Sequence, residues 1–181
     1  MLKHGILGLL NYGDMTGYEI MEAFRDSLNF FWSANTSQIY RELQTLKEKG
    51  FVNNRLVEQS SRPDKKIFSI TKEGKEELLN WLREEKTNKK TNFPILMKLF
   101  FAGEMNTEEC ISRLETIKLE CEEQKSGINL ASEKAVSYKD SVNNSKVTRF
   151  WDMTMDFGVR YSEMLSDWCN QCISILKKED K

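Results

Sequence analysis

The side chains capable of chemistry are few and unevenly placed. Four cysteines, Cys110, Cys121, Cys169 and Cys172, all fall in the second half of the chain. Cys169-Asn170-Gln171-Cys172 has the spacing of a dithiol redox pair. A thioredoxin-type pair follows a strand and opens a helix. This one stands late in a helical heptad pattern, so it reads as packing. Cys110 and Cys121 occupy seam positions, where a thiol behaves as a small hydrophobe. Structural zinc calls for two close ligand pairs, and here there is one, so no metal is expected. His4 is the single histidine, which leaves little for a His-based triad. Neither a nucleophile elbow, nor a phosphate-binding glycine loop, nor a His-Glu-x-x-His helix occurs. No catalytic residue and no cofactor is expected, and the chain is not expected to be an enzyme.

A different chemistry lies in residues 33–72. Ile39, Leu43 and Leu46 stand at i, i+4, i+7 and define one buried helical stripe. Ser37, Gln38, Arg41, Gln44 and Thr45 are thereby left outward. Such side chains hydrogen-bond base edges and phosphates. The same stretch holds Arg41, Lys47, Lys49, Arg55, Arg62, Lys65, Lys66 and Lys72 against Glu42, Glu48, Glu58 and Asp64, an excess of four positive charges, while the whole chain carries -1. The chain is no polycation; its positive charge is local, as phosphate neutralisation requires.

These residues need elements to hold them. With 2 prolines and 9 glycines in 181 residues, breakers are too scarce for a turn-rich all-β fold, and long helices are expected. Ile6, Leu7, Leu9 and Leu10 predict a short helix. Thr16-Gly17-Tyr18-Glu19 has capping-box spacing and opens a second. The third runs from Asn35-Thr36 to Lys49-Gly50. Then FVNNRLVEQ and KKIFSIT, rich in β-branched and aromatic residues, flank a turn at residues 60–64. Thr71 caps another helix. Helix, helix, helix, hairpin, helix is the order of a winged helix-turn-helix, in which the third helix reads DNA. This domain is assigned to residues 1–86.

A second domain is assigned to residues 93–181. FPILMKLFF reads as a packed helix, too short to span a bilayer. Asn106 and Glu109 start the next helix. Cys110, Leu114, Ile117, Cys121, Gln124, Ile128, Ala131, Ala135, Tyr138 and Val142 then alternate at four and three residues, a heptad seam. Phe150, Thr154, Phe157, Tyr161, Met164, Trp168, Gln171 and Ile175 repeat the pattern. Two such wide faces predict a homodimer packed across a two-fold axis, with Leu114, Ile117, Ile128, Ala131, Ala135, Phe157, Tyr161 and Trp168 at the dimer contact; the alternative is a monomeric antiparallel helical hairpin folded onto the first half. The fold class is therefore mostly α: an N-terminal winged helix followed by long dimerisation helices. No export signal or membrane span is read, and a cytoplasmic location is expected.

The segments HGILGLLNYGDMTGYEI, FWSANTSQIYRELQTLKEKGFV and KKIFSITKEGKEELLNWL resemble the PadR family of bacterial transcriptional regulators. The resemblance continues through FPILMKLFFAG and the two long helices, as in the longer-tailed subgroup. It implies that Ser37, Gln38, Tyr40 and Arg41 contact the major groove and its phosphates. Arg62, Lys65 and Lys66 would lie in or over the minor groove. Ser33, Asn35 and Thr36 would donate to phosphates at the helix amino end, with Tyr18 a further phosphate contact. Asp64 stands where the family's wing often carries a cation. The resemblance further implies a repressor of a palindromic operator, released by a small effector, with aromatic carboxylic acids the suggested class. Trp32, Phe93, Phe100, Trp151, Phe157, Tyr161 and Trp168 are the candidate effector-binding side chains. Two readings compete with this one: a helical protein-interaction module, and a redox-sensing regulator using the cysteines.

Overall fold

The computed structural model describes residues 1–28, 31–57, 65–84, 93–142 and 145–179, with side chains for all of these but 27, 134–142, 145, 146 and 179. The chain divides into two units, Met1–Thr87 and Asn88–Lys181.

In the first unit, α1 (Leu2–Leu10) is followed by a two-residue strand β1 (Met15–Thr16) and by α2 (Gly17–Ala23), which continues into one π-helical turn (Phe24–Leu28). α3 (Thr36–Glu48), strands β2 (Val52–Val57) and β3 (Lys65–Ile70), and α4 (Lys72–Arg83) complete it. The sheet is antiparallel in the order β1-β3-β2. Met15 stands opposite Phe68, and Val52 opposite Ile70. This is the expected winged helix with one addition. β1 has no sequence pattern of its own, because two residues are too few to show a period.

The helix boundaries have local causes. At α2 the capping box closes both ways: Glu19 N–H donates to Thr16 Oγ1 (3.2 Å) and Thr16 N–H to Glu19 Oε2 (2.6 Å). The Thr16 N–H, donating to that carboxylate, holds the Glu19 carboxyl below its usual range. α3 ends at Gly50, whose φ of +71° suits a residue without Cβ. Gly50 N–H then reaches Lys47 O and Phe51 N–H reaches Leu46 O, a Schellman closure. Thr71 ties α4 to that closure: its hydroxyl donates to Gly50 O (2.7 Å) and accepts from Gly74 N–H (3.0 Å).

The core forms where the stripes converge. Ile6 and Leu7 of α1, Ile20 of α2, and Ile39, Leu43 and Leu46 of α3 are buried together with Val52 and Phe68 of the sheet and Leu78 of α4. Between α1 and α4, His4 is buried and stacks on Trp81, with ring centroids 4.4 Å apart and planes 5° from parallel. Its Nε2 lies 3.1 Å from Glu77 Oε1, which Lys3 Nζ also reaches at 2.7 Å. Nδ1 is left without a hydrogen-bond partner.

In the second unit, α5 (Pro94–Phe100) leads through a 3-10 turn (Ala102–Glu104) to α6 (Thr107–Val142) and α7 (Ser145–Glu179). Glu109 N–H donates to Asn106 Oδ1 (2.7 Å), as the spacing predicts. α6 and α7 run antiparallel: Leu114 packs in a cluster with Cys169 and Ile173, and further along Lys125 pairs with Glu163. Contrary to the packed helix expected from FPILMKLFF, α5 has no buried residue. Leu96, Met97 and Phe100 are exposed. No helix among the described residues is long and apolar enough to cross a membrane.

Candidate nucleic-acid interface

α3 buries one side and presents the other. Ile39, Leu43 and Leu46 are at most 1% exposed, which fixes the helix's rotation about its axis. Ser37, Gln38, Tyr40, Arg41 and Gln44 are consequently exposed, and Thr45 is half-buried. Ser33 is exposed in the segment before the helix. Among the described residues no ion pair holds the Arg41 guanidinium, so its five donors face outward with no carboxylate to release.

Other predicted contacts are already engaged. Asn35 Oδ1 accepts from Gln38 N–H (2.9 Å), and Gln38 Oε1 accepts from Asn35 N–H (3.0 Å), a reciprocal cap. While the cap persists, Gln38 keeps both amide N–H donors and one lone pair of Oε1 for a base. The spacing Asn-x-x-Gln carried this signal. Thr36 Oγ1 donates to Met21 Sδ (3.0 Å) and joins α3 to α2. The Tyr18 hydroxyl lies against the Glu22 carboxylate, a bond that pushes its acidity down and its pKa up. Gln44 Nε2 donates to Glu48 Oε1 (2.9 Å).

The wing is set by strand register. Lys65 stands opposite Val57 and Lys66 opposite Leu56. Neighbouring residues on a strand point to opposite faces, so the two lysines occupy different sides of β3. Lys66 extends over the Phe68 ring, Nζ 5.9 Å from its centroid. Arg55, opposite Ile67, shares the Lys65 face and approaches Asp14 at 3.7 Å. Arg55 belongs to the basic excess of residues 33–72, and strand parity is the signal that places it beside Lys65. Arg62 lies outside the described residues.

The expected dimer residues separate into two groups. Leu114 (3% exposed) and Ile128 (2%) are buried within the single chain, and Ile117 packs against the Leu114–Cys169–Ile173 cluster. The expectation that they face a partner is corrected: α7 of the same chain already covers this seam. Ala131 is half-buried, and Ala135 is not among the described side chains. Trp168 packs beside the same intrachain cluster. Phe157 instead is 67% exposed and stacks with half-buried Tyr161, centroids 6.3 Å apart. Phe150, Met153 and Met164 are exposed along the same helix.

Of the aromatic side chains expected to bind an effector, Phe157 and Tyr161 stack on each other. Phe93 and Phe100 lie exposed at α5, Phe157 is exposed on α7, and Trp151, Tyr161 and Trp168 are half-buried there. Trp32, in the first unit, is exposed. A groove of about 400 Å³ between α6 and α7 is lined by none of them, but by Cys121, Glu122, Lys125, Ser162, Glu163, Ser166 and Asp167. The four cysteines are free. Burial pushes the thiols of Cys121, Cys169 and Cys172 up, the opposite of thiolate activation.

Comparison with known proteins gives these surfaces a context. Residues 6–80 match the Transcriptional regulator PadR-like family, and residues 93–177 match the Virulence activator alpha C-term family. The negative transcriptional regulator PadR of Bacillus subtilis (strain 168) is 38% identical over 120 residues, 66% of this chain. The match spans 63% of that relative's length. The crystal structure of Bacillus subtilis PadR in complex with operator DNA superposes with a TM-score of 0.81 at 27% identity, covering 97% of this chain and 98% of the other. The complex of the same regulator with p-coumaric acid gives 0.73 at 25% identity, with coverage of 97% and 98%.

Proposed function

The chain carries a domain of the PadR-like transcriptional regulator family, and from that premise we propose that it is a homodimeric repressor of a palindromic operator, released by a small aromatic effector. The observation that carries the DNA reading is the exposed polar face of α3. Ser37, Tyr40 and Arg41 project from it while three buried aliphatic residues hold the helix in place. Arg41 would contribute a bidentate base contact or a phosphate contact. Ser33 and the Asn35–Gln38 cap stand at the helix amino end, where dipole and free donors favour phosphate. Lys65, Lys66 and Arg62 of the wing would neutralise phosphates beside the minor groove.

The exposed stripe of α7 supports the dimer reading. Phe150, Met153, Phe157 and Met164 are exposed at helical spacings of three, four and seven, an apolar stripe that a second copy would cover. A two-fold pair brings two reading helices to one duplex, and the operator then mirrors the symmetry of the protein. The effector reading takes its support from the related regulator solved with p-coumaric acid and from the aromatic side chains at α5 and α7.

Footprinting at low salt on DNA flanking the protein's own gene tests the proposal. A two-fold protected site that p-coumaric acid clears is the expected result. Folded protein that protects no site refutes the DNA reading; protection unchanged by phenolic acids refutes the effector class.

A further inference from the structure

We propose that Gly17 is a positioning residue for DNA recognition: the absence of a side chain there seats the Tyr40 ring and so places the Tyr40 hydroxyl against the duplex. The inference rests on the operator-binding reading above and adds a residue whose own atoms need not touch DNA.

Gly17 is buried at the first position of α2. A Cβ at this position would stand 2.6 Å from Tyr40 Cε1 and 2.9 Å from both Cζ and Oη. All three of the nearest atoms belong to that one ring. Backbone freedom is not what this glycine supplies, because positive φ among the described glycines occurs at Gly50 alone. An alanine suits the backbone and the helix; the three atoms nearest to its methyl group, all within 2.9 Å, are those of Tyr40. The ring therefore rests directly on the α2 main chain.

The two sides of this contact differ in stiffness. Thr16, the preceding residue, is held by the capping box and by pairing with Ile67 of β3. Tyr40 is 48% exposed, and its side chain can turn about two torsions. A methyl group at position 17 would move the ring rather than the helix. Restoring an ordinary contact of about 3.6 Å from 2.6 Å shifts the ring by ~1 Å. A hydroxyl-to-phosphate bond has a window of only about 2.5–3.0 Å and does not survive such a shift unaltered. Neither Arg41 nor Ser37 supplies any of the three atoms nearest to position 17, so the displacement falls first on Tyr40.

The test uses a fluorescent duplex selected from a random pool by the wild-type protein, with anisotropy as the readout. Gly17→Ala and Tyr40→Phe are each expected to weaken binding about tenfold, the order of one charge-assisted hydrogen bond. In the Tyr40→Phe background the ring still meets the methyl group, but no hydroxyl remains to be misplaced, so Gly17→Ala should cost no further affinity. A purely structural role would cost the same in both backgrounds, and that result overturns the proposal, as does wild-type affinity in Gly17→Ala. A wild-type protein that selects no duplex overturns the operator reading itself, and this inference with it. Should Gly17→Ala alone fold poorly, the pair Tyr40→Ala and Gly17→Ala/Tyr40→Ala decides: with the ring gone, the added methyl should raise the melting temperature. An unchanged or lowered value overturns the proposal.

Discussion

Truncating Phe157 to alanine should dissociate the proposed dimer, and the size of the effect follows from where the ring lies. Phe157 is 67% exposed in the single chain. Full burial of such a side chain stabilises by about 1.5–3 kcal/mol, so covering the exposed part contributes about 1–2 kcal/mol per protomer. Two-fold symmetry repeats the loss, giving about 2–4 kcal/mol, or roughly 30- to 1,000-fold in the dissociation constant. Leu114 provides the contrast. At 3% exposure within one chain it has no surface left for a partner; Leu114→Ala should cost about 2–5 kcal/mol of hairpin stability through its cavity and leave the association of folded chains almost unchanged. Light scattering after gel filtration reads the mass and thermal melting reads the stability. The expected pattern is a lighter species with a near-normal melt for Phe157→Ala, and a dimer with a depressed melt for Leu114→Ala. A Phe157→Ala protein that dimerises as tightly as wild type, or a wild-type mass of 21.2 kDa at micromolar concentration, refutes the reasoning.

Three further outcomes are expected. Arg41→Ala should weaken operator binding by about 1–3 kcal/mol and relax specificity at one base pair, whereas Lys66→Ala should weaken every sequence alike and flatten the salt slope; titrations at several salt concentrations separate the two. Asn35→Ala removes the acceptor that caps α3 and should lower domain stability by about 1 kcal/mol in a denaturant melt. Stability should also fall as the solution is acidified below about pH 6.5, the ordinary histidine value. Burial holds His4 below that value in the folded state; a carboxylate partner makes Nε2 the donor, and protonating Nδ1 would bury an N–H without an acceptor. The unfolded chain then binds the proton first, so the loss develops between the unfolded and the lower folded pKa and levels off beneath it. His4→Gln should abolish this limb of the profile; Glu77, held low chiefly by Lys3 and then His4, loses its contribution only further down, below the ordinary glutamate range.

Features built from neighbours in the chain were legible in advance. The Thr16–Glu19 box, the Thr71 and Asn106 caps, the stop at Gly50 and the Ile39–Leu43–Leu46 stripe each depend on residues within about two helical turns, and spacing alone announces them. The outward set on α3 followed by subtraction from that stripe. The reciprocal Asn35–Gln38 cap is equally local, but the same two side chains also suit DNA contacts, and spacing does not rank the two uses.

What the tertiary structure decided was the choice of partner. A heptad seam looks the same whether it meets a helix of its own chain or of another, since side-chain periodicity records that a face is covered and not by what. The antiparallel return of α7 takes up Leu114, Ile117 and Ile128 of α6, and so releases Phe150, Phe157 and Met164 to the surface. β1 likewise exists only because β3 supplies a partner for Met15 and Thr16. The seating of Tyr40 on Gly17 joins residues 23 positions apart on different elements. Local sequence specifies which faces are apolar and where helices begin and end; long-range packing allots each face its occupant, because that allotment depends on how distant segments compete for the same surface.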